Sequence, residues 1–195
     1  MVDPYNITNY NLNDWQLEEH ALFWIAVAGK TANVISKCLD RMLTEHAVFY
    51  NRNTPLGWVL STYALFDLPQ LLKHYGIGCY NLKARSFFEL AKAVHKGELD
   101  LRTCTADELD NIYGIGPKTA RCFILHSRKG ARYVGLDTHI LKYMKNEMGV
   151  EDVPKSTPSS KKEYERLEQI FLNHADELGK TPADLDLEIW KRYAR

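Results

Sequence analysis

The sequence lacks an apolar run long enough to cross a membrane as a helix, since its best stretch, 21–28, holds eight residues. Its first residues include Asp3 and Pro4 and provide neither the basic nor the apolar segment of a secretory signal. Only four cysteines are scattered over 195 residues, which excludes a disulfide framework and a closely spaced metal knuckle. We therefore expect a protein of the reducing cytoplasm that is neither secreted nor inserted in a membrane.

Strand patterns are also missing, because the one candidate, 133–136, is too short to stand alone. Apolar residues recur at helical spacing over most of the chain, and 45% hydrophobic against 26% charged residues indicates a packed core. The predicted fold class is therefore all-α. Helices are predicted from Asp14, around 34–43, from Pro55 toward Phe66, from Asp67 to near Gly76, from Asn81 to Gly97, over 106–113 and 117–127, from Asp137 toward Met148, over 160–178 and from Pro182 onward.

Several of these helices are preceded by capping residues. Thr105 with Glu108 and Ser160 with Glu163 have the spacing of a capping box, in which the two residues bond each other's backbone. Asp137 is well placed to cap the helix that follows it. These positions therefore predict where three of the helices begin.

The length is typical of one large domain or two small lobes. The stretch 151–159, with two prolines and three Ser or Thr residues, connects a central helical unit to a C-terminal helical pair. We predict a central lobe over 21–133 and a second lobe made of 1–20 together with 134–195. A monomer is the default expectation.

Positive charge is concentrated in the middle of the chain, although the 25 basic and 25 acidic side chains balance overall. Residues 73–133 hold 11 basic and 6 acidic side chains. Such a segment is typical of a site for a polyanion, but charge also fluctuates by chance along any chain. It favours nucleic acid only if other motifs in the same segment agree.

One such motif is the stretch 109–120, which predicts two short helices joined by Gly114-Ile115-Gly116. Glycines permit a tight turn and the close approach of another backbone. The turn and the first residues of the next helix, including Thr119, expose backbone N–H groups that suit a DNA phosphate of any sequence. A plain turn between helices is the alternative.

A second motif follows nineteen residues after Lys118, where Asp137 and His139 form Asp-x-His. With the Gly-Ile-Gly-Pro-Lys-Thr-Ala hairpin, it resembles the helix-hairpin-helix DNA glycosylase superfamily, which includes endonuclease III and the 8-oxoguanine glycosylases. The resemblance implies a two-lobed helical core with an active-site cleft between the lobes. It also implies that the partner is double-stranded DNA with a damaged base.

The resemblance assigns a nucleophilic amine to Lys118 and a catalytic carboxylate to Asp137. Breaking an N-glycosidic bond builds positive charge on the sugar, which a fixed carboxylate stabilises. A neutral amine can then attack C1′ and form a Schiff base, so we expect burial or the helix dipole to lower the pKa of Lys118. Considered alone, Lys118 is equally compatible with an ordinary solvent-exposed lysine, and Asp137 with an ordinary helix cap.

Three further segments, 25–34, 76–85 and 185–190, resemble the same superfamily more weakly. They imply that Lys30 and Asn33 fill the gap left by an extruded base, although ordinary polar loop residues would look the same. His139 is expected to contact phosphate or to be only a polar helix residue. General phosphate attraction is expected from four basic residues: Arg121, Arg128, Lys129 and Arg132.

The chain also departs from the superfamily pattern. No cysteine follows Cys122, so the iron–sulfur cluster of endonuclease III is not expected, nor is any other metal or cofactor. The expected function is base release and strand cleavage in base excision repair, with oxidised purines and oxidised pyrimidines both compatible. Two alternatives remain: a non-catalytic DNA-binding protein, and a relative that modifies bases in viral DNA.

Overall fold

The computed structural model describes residues 1–46, 54–65 and 67–193. Within these ranges the chain forms helices and no strand, which confirms the all-α prediction. The predicted end of the third helix at Phe66 lies outside the described residues. A 3-10 helix, Pro4–Asn6, is followed by α1 (Asp14–Val27), α2 (Ala32–His46), α3 (Pro55–Leu65), α4 (Leu68–His74), α5 (Tyr80–His95), α6 (Ala106–Asp110), α7 (Pro117–Ser127), α8 (Thr138–Asn146), α9 (Lys161–Glu177) and α10 (Pro182–Tyr193).

Two of the predicted helix caps are confirmed and one is only half formed. Thr105 and Glu108 make both bonds of a capping box at the start of α6, and Asp137 caps α8. Ser160 caps α9, but the side chain of Glu163 is bonded to Arg166 instead of the cap, so the second predicted box is wrong. The ion pair with the neighbouring arginine competes for the same carboxylate.

Two examples show how helix boundaries differ from the prediction. Helix α6 ends at Asp110 rather than at Tyr113, because the chain turns early into the hairpin. Helix α5 begins at Tyr80 rather than at Asn81, and the residue before it, Cys79, has a left-handed backbone conformation. Both differences concern three residues or fewer and leave the order of elements unchanged.

The buried apolar side chains form two clusters. The first gathers residues between Val2 and Ile124, and the second gathers residues between Val134 and Ile189. The division into lobes at 133/134 stays a prediction. So does the assignment of 1–20 to the second lobe, although residues of that segment such as Leu17 pack in the first cluster.

Helix α7 lies where the two clusters meet. It contacts α1 and α6 on one side and α10 on the other, and nine of its eleven residues are buried. Its N-terminus, which carries Lys118, therefore stands between elements of both clusters. No helix in the described ranges is both long enough and apolar enough for a bilayer crossing.

Candidate active site

A cavity of about 820 Å³ opens at the N-terminus of α7. Its wall is built from α1 and the loop that follows it, from α7, from the start of α8 and from α10. This volume is in the usual range of ligand sites. Residues that line it include Trp24, Lys30, Asn33, Lys118, Thr119, Cys122, Gly135, Asp137, His139, Asp186 and Trp190.

The hairpin before α7 requires a glycine at its turn. Gly114 has φ of +77°, a conformation that other residues rarely adopt. A Cβ atom at this position would lie 2.0 Å from Oγ of Ser86 on α5. The turn is thus pressed against α5, and this contact fixes the hairpin relative to the first cluster.

Backbone N–H groups at this hairpin are free to bind an anion. Those of Gly114 and Gly116 donate no hydrogen bond among the described residues, and those of Lys118 and Thr119 belong to the open first turn of α7. Ile115 is the exception, because its side chain is buried and its N–H bonds the carbonyl of Ile112 at 3.0 Å. The geometry suits a phosphate group.

Lys118 is half-buried in the cavity wall. Its Nζ lies 5.4 Å from the centre of the Trp24 ring. Burial lowers the pKa of Lys118, but electrostatic interactions with Cys122, Asp137 and Asp186 raise it by more, so the net pKa is raised. The expected lowering of this pKa is therefore wrong, because the interactions with Cys122, Asp137 and Asp186 together outweigh the effect of burial.

Asp137 uses one carboxylate oxygen as a helix cap. Its Oδ1 accepts hydrogen bonds from the backbone N–H groups of His139 (2.8 Å) and Ile140 (3.0 Å). Its Oδ2 accepts none among the described residues. One oxygen is therefore held in place by α8 while the other remains available to a ligand.

The segment that carries Asp137 is held firmly against α7. The phenol group of Tyr164 donates to the carbonyl of Val134 (2.7 Å) and accepts from the N–H of Leu136 (3.0 Å). Between them, Gly135 lies so close to Cys122 that a Cβ atom would be 2.1 Å from its Sγ. Lys118 and Asp137, nineteen residues apart in the chain, thus line one cavity as the sequence predicted.

The other predicted contact residues lie around the same cavity. Lys30 is exposed and extends over Gly78, and Nδ2 of Asn33 donates to the hydroxyl of Tyr5 at 3.1 Å. Nδ1 of His139 is buried without a hydrogen-bond partner. All three predicted residues line the cavity, which places them where a bound nucleotide could reach them.

Arg121 does not occupy the expected position at a DNA surface. It is 5% exposed, its Nε donates to Glu168 at 3.1 Å, and its guanidinium lies 4.5 Å from the centre of the Tyr164 ring. The phosphate contact expected of Arg121 is therefore wrong, because this charge neutralises a buried carboxylate. Arg128 likewise donates to backbone carbonyls, and Arg132 is paired with Asp176.

Three further residues of the cavity were missed in the sequence. Cys122 follows Lys118 by four residues. This spacing puts both side chains on one face of a helix and was enough to identify Cys122 as a neighbour of Lys118 from the sequence. Burial raises the pKa of its thiol to about 12, which keeps it neutral. Trp24 and Asp186 come from α1 and α10, and no local pattern indicated that they would meet α7.

No group of three or more His, Cys, Asp or Glu side chains in the described ranges is arranged to hold a metal ion. The cavity instead offers an amine, two carboxylates and a thiol.

Two solved structures illustrate the similarity of fold. One is an 8-oxoguanine glycosylase/lyase of Methanocaldococcus jannaschii in complex with DNA containing 8-oxoguanine, with a TM-score of 0.69 and 20% identity over 94% of this chain and 83% of that chain. The other is the 8-oxoguanine DNA glycosylase of Thermotoga maritima, with a TM-score of 0.66 and 22% identity over 97% of this chain and 83% of that chain. At these identities the likeness establishes a shared fold.

Relatives by sequence have similar names but match over shorter lengths. An 8-oxoguanine DNA glycosylase/AP lyase of Thermoplasma acidophilum is 31% identical over 141 residues, 64% of this chain and 60% of that protein. One from Thermotoga sp. strain RQ2 is 35% identical over 80 residues, 41% of this chain and 37% of that protein. The chain thus spans less than two thirds of the length of these curated relatives.

A family comparison covers more of the chain. The model of the helix-hairpin-helix 8-oxoguanine DNA glycosylases matches residues 59–180, which include the hairpin, Lys118 and Asp137. Since this match extends over more than half of the sequence, the chain belongs to the 8-oxoguanine DNA glycosylase family.

Proposed function

We propose that this chain is a bifunctional DNA glycosylase and AP lyase that removes an oxidised base from duplex DNA. The names of its relatives make 8-oxoguanine the first substrate to test. The observation that carries the proposal is the placement of Lys118 and Asp137 on the wall of one cavity large enough for a nucleoside.

In the proposed reaction the duplex binds through its phosphates to the N–H groups of the hairpin. The damaged nucleotide leaves the base stack and enters the cavity. Lys30 and Asn33, on the loop after α1 and at the start of α2, fill the gap that this nucleotide leaves in the duplex. His139 lies beside the entering backbone and donates to a phosphate.

Bond changes take place at C1′ of the extruded nucleotide. The neutral amine of Lys118 forms a bond to C1′ while the N-glycosidic bond breaks and its electron pair leaves with the base. The free Oδ2 of Asp137 stabilises the positive charge that develops on the sugar. Ring opening gives a Schiff base, loss of a C2′ proton expels the 3′ phosphate, and water releases Lys118.

Proton transfer must come before the attack. The raised pKa of Lys118 means that the amine is an ammonium ion before DNA binds. Closure of the cavity around a nucleotide excludes water and disfavours the charged pair. The proton then passes from Lys118 to Oδ2 of Asp137, which has no competing donor among the described residues, and from there to the departing base, so that Asp137 is again a carboxylate when positive charge develops on the sugar.

Borohydride trapping of the Schiff base tests this function. Duplexes would be identical except for one position, which carries guanine, 8-oxoguanine, thymine glycol or an abasic site. The wild-type protein should give a covalent adduct with the damaged duplexes, and Lys118→Ala should give none. Lys162→Ala, which removes an exposed lysine outside the cavity, is the matched control and should retain the adduct.

The same experiment separates the alternative functions. Binding without base release or adduct would indicate a non-catalytic DNA-binding protein. A changed base that stays attached to its sugar, detected by mass spectrometry of the digested DNA, would indicate a base-modifying enzyme. An adduct in Lys118→Ala would place the nucleophile elsewhere.

A further inference from the structure

His126 has no role in the reaction described above, yet it is fully buried and all its polar atoms are engaged. It lies on α7 at i+8 from Lys118 and i+4 from Cys122, so the three side chains occupy one face of the helix. The ring is 0% exposed. Burial of a polar side chain costs free energy unless its polar atoms are hydrogen-bonded, and both ring nitrogens of His126 have partners.

One ring nitrogen of His126 connects α7 to α10. Its Nε2 lies 3.2 Å from Oδ2 of Asp186, a residue that lines the cavity. This is a link between two elements that belong to different hydrophobic clusters. It fixes a carboxylate whose charge acts on Lys118.

The other ring nitrogen is bonded to the N-terminal segment. Nδ1 of His126 lies 2.8 Å from Oγ1 of Thr8, and the backbone carbonyl of His126 accepts from the N–H of Asn9 at 2.9 Å. An arrangement in which Nδ1 accepts from the Thr8 hydroxyl and Nε2 carries a hydrogen satisfies both partners. That hydrogen then points at Asp186.

The face of the His126 ring supports a second wall of the cavity. It stacks on Trp24 with ring centres 5.5 Å apart and an interplanar angle of 12°. Trp24 is also the aromatic residue whose ring the amine of Lys118 approaches. His126, which also lines the cavity, therefore contacts two of the groups that surround the amine.

We infer that His126 is a positioning residue for the amine of Lys118, which it serves by fixing the Asp186 carboxylate and the Trp24 indole on either side of the cavity. The inference rests on the proposed function, since it concerns the same amine. It adds a residue that no motif of the sequence indicated, and it gives the N-terminal segment a role in holding the site.

The test compares two substitutions at His126. His126→Gln keeps an N–H donor near the position of Nε2, whereas His126→Leu fills the space without a donor. Single-turnover rates of borohydride trapping and dissociation constants for an abasic-site duplex are measured for each. Melting temperatures show which variants are folded.

His20 provides a matched control. It is also buried, its Nε2 also bonds the N-terminal segment at Ile7, and it also contacts the Trp24 ring, but it has no bond to Asp186. His20→Gln should therefore trap at nearly the wild-type rate. His126→Leu should trap about tenfold more slowly with an almost unchanged dissociation constant, since small misplacements act on the rate. His126→Gln should recover most of the loss.

A double-mutant cycle identifies the route of the effect. If His126 acts through Asp186, the variant that combines His126→Leu with Asp186→Asn should be no slower than Asp186→Asn alone. Fully additive losses would overturn that route, and if His126→Leu is unstable, the smaller substitution His126→Ala takes its place in the cycle.

Two results would overturn the positioning role itself. One is a wild-type trapping rate in His126→Leu, and the other is an equal loss in His126→Gln and His126→Leu. A wild-type protein that forms no adduct would overturn the proposed function and this role with it. A wild-type adduct with unaffected His126 variants would overturn only the role of His126.

Discussion

Gly135 and Cys122 are in contact at a point where no side chain fits between them. A Cβ atom on Gly135 would lie 2.1 Å from Sγ of Cys122 and 3.7 Å from the carbonyl oxygen of Lys118. This contact sets the separation between the helix that carries Lys118 and the segment that carries Asp137. A glycine two residues before the carboxylate thus controls the geometry of the site.

Gly135→Ala should separate the two catalytic segments. We expect a trapping rate at least about tenfold lower, because the amine and the carboxylate move apart, and a loss of about 1–3 kcal/mol in the free energy of unfolding from overpacking. DNA affinity, measured by fluorescence anisotropy, should change little. The double variant Gly135→Ala with Cys122→Ala, in which Sγ is absent, should trap at a rate close to that of Cys122→Ala alone. A double variant as slow as Gly135→Ala would contradict the steric explanation.

The two hairpin glycines should behave differently when each is changed to alanine. At Gly116, φ is −96° and a Cβ atom would meet nothing within 4 Å. Gly116→Ala should therefore leave the melting temperature unchanged but weaken binding to every duplex, because the methyl group points where a phosphate would sit. Gly114→Ala should lower both stability and affinity. Unchanged affinity in Gly116→Ala would argue against the hairpin as the DNA contact.

Much of the fold follows from local sequence signals. Thr105, Asp137 and Pro117 mark helix starts that the structure places at the predicted residues, since caps depend on neighbours only. The missing half of the capping box at Ser160 arises from a competing ion pair between Glu163 and Arg166, which spacing alone does not reveal.

The contents of the site were less predictable. Lys118 and Asp137 could be found because each belongs to a motif. Asp186 is brought to them from α10 by tertiary packing, and Arg121 is turned inward by a buried partner, Glu168, forty-seven residues away in the chain. The direction of the pKa shift at Lys118 was mispredicted for the same reason, as it depends on charges from distant segments.

Asp137→Asn should separate catalysis from binding. Asparagine caps a helix about as well as aspartate, so the free energy of unfolding should change by less than about 0.5 kcal/mol. Base release should slow by about 100-fold or more, because the charge that stabilises the sugar cation is gone. The measurement is single-turnover release of 8-oxoguanine alongside a binding titration. Weaker binding with an unchanged rate would refute the assigned role.

His20 should make the protein sensitive to acid. Burial, with a further contribution from nearby His126, lowers the pKa of His20 from 6.5 to about 3. The unfolded chain takes up this proton below pH 6.5 and the folded chain does not, so stability is complete above pH 6.5 and declines toward pH 3. The loss should approach about 1.4 kcal/mol per pH unit.

Urea unfolding of wild type and His20→Gln between pH 7.5 and 4.5 isolates this contribution, because other titrating groups affect both proteins alike. The stability advantage of the wild type should shrink as the pH falls. A difference that does not vary with pH would show that His20 is not held neutral in the folded protein.

The most direct measurement of the central claim is the location of the trapped adduct in the chain. After borohydride reduction and digestion, mass spectrometry should find the sugar remnant on the peptide that contains Lys118 and on no other peptide. A remnant on Met1, whose terminal amine is ion-paired with Glu19 and Asp40, or on any other lysine would contradict the account.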